Sequence, residues 1–207
     1  MDQRPFILFL VCGGILRLAI AWAPLEWLLQ YVLSDDAFYY FTIARNAAHG
    51  YGLTFDKLAE TNGFHPLWMA FLFPVYAVIE DRTFAIHIIL TISALVDFGS
   101  LCILNSILRE GKVSHFARWS VLFLFCFAPG LVSHTGSING METGLNVFFI
   151  LLYLAACQRL LSKPDLNLKD AARFGIVSGL LFLTRTDNVI LLGTTYIYLA
   201  IAGESKV

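Results

Sequence analysis

Pro66-Leu67-Trp68-Met69-Ala70-Phe71-Leu72-Phe73-Pro74-Val75-Tyr76-Ala77-Val78-Ile79 is the stretch on which the topology turns. It is apolar throughout, yet shorter than the about 20 residues that a membrane-crossing helix needs. Pro66 opens it and Pro74 interrupts it. Apolar segments of this length are more often re-entrant or interfacial than spanning. Around it lie the apolar runs Phe6–Val32, Phe84–Leu108, Phe116–Val132, Leu145–Leu161, Phe174–Thr184 and Val189–Ala202.

Composition points the same way. Hydrophobic residues make up 58% of the 207 and charged residues 14%, against about 25% charged in an ordinary soluble domain. The net charge of -1 gives no reason to expect a nucleic-acid partner. The predicted class is an all-α polytopic membrane protein, with residues 1–207 forming a single membrane domain. Arg4 ahead of an apolar run with Ala19, Ala21 and Ala23 also fits a cleavable signal. The run continues through Trp27 to Leu33, which favours a retained first span. Cys12, Cys102, Cys126 and Cys157 each sit inside an apolar run, without CxxC spacing, and read as small core residues.

Charge sets the sidedness. One loop carries Arg109, Lys112 and Arg118, and another carries Arg159, Lys163, Lys169 and Arg173. Basic loops belong on the cytoplasmic side, together with Arg4. Both loops reach that side only if Pro66–Ile79 does not cross. Asp35, Asp36, Asn62, His65, Glu142, Arg185 and Asp187 then share the outer side. The last two segments are short against a hydrocarbon core of about 30 Å. Their turn, Thr184-Arg185-Thr186-Asp187-Asn188, is therefore expected below the outer surface, lining a wet cavity.

Residues 35–49 read as an amphipathic helix in the first outer loop, itself about residues 34–65. Asp35, Tyr39, Thr42, Asn46 and His49 share one face; Ala37, Tyr40, Phe41, Ala44, Ala47 and Ala48 share the other. Ser34 is placed to cap the helix and Gly50 to end it. Asp35 and Asp36 occupy the first turn, where the helix dipole favours negative charge. They can take a proton from a hydroxyl, bind a cation, or serve only as helix-start acids on a wet surface. In Thr61-Asn62-Gly63-Phe64-His65-Pro66, His65 can bond a phosphate or carboxylate, or cap the next helix. Glu142, in Asn139-Gly140-Met141-Glu142-Thr143-Gly144, can join the aspartates on a divalent cation such as magnesium, manganese or calcium. Arg185 can pair with Asp187 or clamp phosphate oxygens. Arg17 and Asp97 fall near mid-span with opposite signs and are expected to pair across two helices.

Together the motifs resemble the GT-C membrane glycosyltransferases that use polyprenyl-phosphate sugars, in the protein-mannosyltransferase-like and arabinosyltransferase-like group. The carrying residues are Asp35-Asp36-Ala37-Phe38-Tyr39-Tyr40, Thr61 to Trp68, Gly140-Met141-Glu142-Thr143 and Leu183-Thr184-Arg185-Thr186-Asp187, in the family's order over nearly the whole chain. The resemblance implies a GT-C-like bundle of about six to seven transmembrane or re-entrant helices in the plasma (inner) membrane, active on the extracytoplasmic side. It implies transfer of a sugar from a polyprenyl-phosphate donor to a glycan, lipid or protein hydroxyl, with inversion. Asp35 and Asp36 match the family's general base or metal ligand, with Asp36 and Glu142 as possible metal ligands. Asn62, His65, Glu142, Arg185 and Asp187 match substrate-binding positions. Family members usually continue into a variable half, so the chain is expected to be an N-terminal module. The alternative is a non-catalytic or truncated membrane subunit that binds a polyprenyl lipid or a partner protein. A transporter is the weaker idea, because the polar groups cluster on one side and no inverted repeat is visible.

Overall fold

The computed structural model describes residues 4–128, 130, 133–162 and 167–204. The chain runs through α1 (Arg4–Ala21), α2 (Leu25–Tyr31), α3 (Asp35–Ala48), α4 (Pro66–Val78), α5 (Arg82–Glu110), α6 (His115–Phe127), α7 (Thr143–Ser162), α8 (Leu168–Thr184) and α9 (Val189–Glu204). Among the described residues, strand-like pairing is limited to one antiparallel bridge, Thr54 to Glu60, in the loop after α3.

Helix α5 is the spine of the bundle. Its 29 residues rise about 43 Å at 1.5 Å per residue. Asp81 starts it by accepting the Phe84 N–H at 2.7 Å, a cap worth about 1 kcal/mol. It packs against α1, α4, α6 and α7; α7 packs on α8, and α4 on both α3 and α8. Helices α5 and α7 are long and apolar enough to cross a membrane, and α1 with α2 makes a third candidate if counted as one broken span.

The first apolar run is not the single helix expected for Phe6–Val32. It breaks after Ala21, and α1 and α2 meet at 105°. Pro24 has no N–H to continue the ladder and disfavours helical backbone in the residue before it. The Ala21 carbonyl, freed at the break, finds a partner. His87 of α5 lies with Nδ1 2.8 Å from Ala21 O, and its ring stacks on Trp22 with centroids 5.1 Å apart.

Helices α4 and α6 have 13 residues each and rise about 20 Å, short of the about 30 Å core. Helix α8 begins at Leu168 rather than near Phe174, because Asn167 caps it through the Asp170 N–H. That first turn is polar, so hydropathy alone overlooks it. With 17 and 16 residues, α8 and α9 rise about 26 and 24 Å, longer than their apolar runs imply.

Arg17 and Asp97, both buried, are bonded to each other across α1 and α5, as their opposite signs led one to expect. Arg17 also donates to Gly13 O, to Cys126 O at 3.2 Å and to Phe125 O at 3.0 Å. One guanidinium thus ties three helices. Arg118 departs from its reading as a loop charge. It lies in α6, is 2% exposed, and donates from Nε and Nη2 to Asn105 Oδ1 of α5 at 2.9 and 2.6 Å. Its stem lets it bury length as well as charge, with Trp119 beneath the guanidinium at 4.6 Å. Cys126 and Cys157 are buried as expected, but Cys12 and Cys102 are exposed. In a helix that is apolar all round, hydropathy does not separate the core-facing side from the lipid-facing side.

Candidate functional site

Four polar motifs meet at one end of the bundle. They are the start of α3, the start of α4, the loop leading into α7, and the turn between α8 and α9. The loop into α7 sits on the start of α3: the Ser34 N–H donates to Asn139 O at 3.2 Å. Ser34 occupies the predicted cap position, but its side chain makes no capping bond. Its backbone is committed to the α7 loop instead.

Gly140 explains why that loop approaches so closely. Its φ is +84°, and an added Cβ would stand 2.9 Å from Phe41 and 3.0 Å from both Ala37 and Leu33. Only glycine gives both that backbone and that contact distance. The Gly140 carbonyl accepts from Trp68 Nε1 of α4 at 3.1 Å, so one residue joins α3, α4 and the α7 loop. Asn139 stiffens the turn by accepting the Met141 N–H at 3.0 Å.

Glu142 is the centre of the site. It is 1% exposed. Its Oε1 accepts from Arg185 Nη1 at 3.1 Å and lies 3.6 Å from His65 Nε2. Its Oε2 is buried and meets hydrogen-bond geometry with no donor among the described residues, although the Tyr40 hydroxyl stands close to the carboxylate. Arg185 also grips Asp187 in bidentate fashion, Nε to Oδ1 at 3.1 Å and Nη2 to Oδ2 at 2.8 Å. Such forked pairs combine charge with fixed geometry. Of the two readings left open for Arg185, the pairing with Asp187 is the one the structure displays.

Tyr40 of α3 closes the cluster. Its hydroxyl accepts the His65 N–H at 3.2 Å. Burial, and then the charge of Glu142, push its phenol well above the usual tyrosine range. Tyr40 was assigned by periodicity to the apolar face of α3, and its ring is indeed buried. The hydroxyl role was not legible from that pattern. Asn146, one helical turn after Glu142, was also missed. Its Oδ1 accepts from Thr184 Oγ1 at 2.8 Å and from Asn188 Nδ2 at 2.7 Å, fastening α7 to the turn that carries Arg185. The i, i+4 spacing from Glu142 was the available signal.

The remaining predicted site residues make no hydrogen bond or ion pair with this cluster among the described residues. Asp35 and Asp36 are in the first turn of α3 and exposed. Neither side chain has a bonding partner among the described residues. Asn62 is exposed in the loop before α4. Asn46 corrects the helical-face reading: it is buried rather than on the wet face, and its Nδ2 donates to Thr54 O and Phe55 O, both at 3.0 Å. Together with Tyr39, which bonds Thr61 Oγ1 at 2.8 Å, it folds the outer loop back onto α3.

For the divalent cation expected between Asp36 and Glu142, the glutamate offers Oε2 as its unbonded oxygen. One Glu142 oxygen is already held by a guanidinium, whose charge opposes a second cation. Among the described residues, no three His, Cys, Asp or Glu side chains gather as a ligand set.

The Arg185–Asp187 pair has a pH signature. Arg185 holds the Asp187 carboxyl below its ordinary range, chiefly by hydrogen bonding. Its contribution is complete above the unfolded value of about 3.9 and is lost as pH falls through the lower folded value. Asp187 is mostly exposed, so the effect is small. Asp187→Asn is expected to flatten the acid limb of a plot of unfolding midpoint against pH. An acid limb as steep in the variant as in the native chain would contradict the pairing.

No protein-family model, curated protein or solved structure matches the chain.

Proposed function

We propose that the chain is a membrane glycosyltransferase, or the N-terminal module of one. It would move a sugar from a polyprenyl-phosphate donor to an acceptor hydroxyl on the extracytoplasmic face of the plasma (inner) membrane, within a GT-C-like bundle of spanning and re-entrant helices. The observation that carries the reading is the buried Glu142. One of its oxygens is fixed by Arg185, and the other meets hydrogen-bond geometry with no donor among the described residues, with the Tyr40 hydroxyl, on the helix that begins with Asp35 and Asp36, close by. Buried acceptors without partners are rare and call for a donor. A sugar or acceptor hydroxyl supplies one.

In this mechanism Asp35 removes the acceptor hydroxyl proton as the oxygen attacks the anomeric carbon. The bond from that carbon to the phosphate oxygen breaks, and the lipid phosphate leaves with the electron pair. Asp36 flanks the base. Asn62, His65, Glu142, Arg185 and Asp187 orient sugar and acceptor. The leaving phosphate is a weak base and needs no strong acid, so His65 and Arg185 need only offset its growing charge. Arg185 must loosen one carboxylate to reach it.

That last requirement favours a second reading. A guanidinium already satisfied by two carboxylates is also a good structural clasp. The chain would then be a non-catalytic subunit that binds a polyprenyl lipid or a partner protein. Membranes containing the full chain, given a labelled polyprenyl-phosphate sugar, separate the two. The transferase reading expects labelled product, reduced about 100-fold or more by Asp35→Asn, the usual range for losing a general base. Absence of product from the native chain favours the subunit. Full transfer by both Asp35→Asn and Asp36→Asn would end the mechanism.

A further inference from the structure

A cavity of about 400 Å³ opens among α2, α3, α4 and the start of α5. Leu25, Leu29 and Phe38 supply its apolar wall, and Arg45 and Arg82 bring in two guanidinium groups. The Tyr76 phenol lies within the field of both arginines, so the two charges converge on one region. Neither arginine has an ion-pair partner among the described residues. The nearby acids are engaged elsewhere: Asp81 caps the Phe84 N–H, and Glu80 lies 3.4 Å from His49 Nε2. None of these residues belongs to the Glu142 cluster.

Two positive charges without an ion-pair partner among the described residues, beside an apolar wall, complement one ligand chemistry: an anionic head joined to a hydrocarbon chain. The cavity is large enough for a phosphate-bearing head group and the first few methylenes. The rest of a chain can lie along α2, where Leu29 is 46% exposed. Basic pockets between membrane helices are known on the cytoplasmic side to hold lipid head groups by this chemistry, and guanidinium forks match phosphate oxygens on either side. We infer that this cavity holds the head group of an anionic bilayer phospholipid, through Arg45 and Arg82. This binding is separate from sugar transfer and stands whether or not the chain is an enzyme.

The test uses the full chain purified in neutral detergent and stripped of lipid. Binding of phosphatidylglycerol and of phosphatidylcholine is followed by native mass spectrometry, with excess inorganic phosphate as a competitor. The expected result is a preference for phosphatidylglycerol that phosphate does not abolish. The preference should fall about tenfold for loss of each charge-assisted contact in Arg45→Gln and Arg82→Gln. Arg82 is exposed, so its variant keeps the fold even if Arg45→Gln does not. Arg109→Gln, at the far end of α5, should leave the preference intact. Equal binding of the two lipids, or an unchanged preference in Arg82→Gln, overturns the inference. Full displacement by inorganic phosphate overturns it too, by showing a site for a soluble anion.

Discussion

Arg17→Leu is expected to destabilise the bundle by about 3–5 kcal/mol, the usual cost of leaving one member of a buried ion pair alone. The cost arises from Asp97. Its Oδ2 would lose Arg17, and its Oδ1 already has no hydrogen-bond partner among the described residues. The carbonyls of Phe125 and Cys126, at the end of α6, would lose their donor as well. Replacing both charges, Arg17→Leu with Asp97→Leu, should restore much of the loss, because no buried charge then remains. Unfolding midpoints in detergent provide the comparison. If the single variant is as stable as the native chain, Asp97 has another counter-charge and the three-helix tie is wrong.

Gly144→Ala is the other large effect. A Cβ at this position would lie 2.3 Å from the carbonyl oxygen of Ser137, which is backbone and has no rotamer to yield. Overpacking of a rigid site costs about 1–3 kcal/mol and occasionally more, and this contact belongs at the upper end. Relief requires the loop of residues 137–142 to lift from α7, which displaces Glu142 from Arg185. The variant should lose both stability and any activity or ligand affinity that depends on Glu142. Gly175→Ala and Gly179→Ala are the controls. Both glycines lie inside α8 with open space around them, so alanine should stabilise by about 0.5–1 kcal/mol. A Gly144→Ala variant that behaves like these controls would show that the loop does not pack against α7 as described.

Much of the secondary structure was legible because apolar runs and caps are local properties. The run Phe84–Leu108 became α5, Leu145–Leu161 became α7, and residues 35–49 became α3 within a residue. The Arg17–Asp97 pair was legible too, since two opposite charges in apolar helices have few alternatives to each other. The break after Ala21 followed from Pro24, a signal present in the sequence but outvoted by the length of the apolar run. Arg118 was misplaced because a charge near a loop looks the same whether it faces water or turns back onto a neighbouring helix.

The candidate site divides along the same line. Composition and spacing determined that the chain is helical, that apolar segments dominate it, and that polar residues recur at segment ends. The segment positions alone could not say that His65, Glu142, Arg185 and Asp187 are joined by hydrogen bonds and ion pairs, while Asp35, Asp36 and Asn62 make no such bond to them. That depended on Gly140 and Gly144 letting one loop press against α3 and Ser137, and on Asn146 fastening α7 to the final turn. Periodicity records what each helix prefers by itself. Contacts between residues dozens of positions apart depend on how those helices pack, and only the tertiary structure decides that.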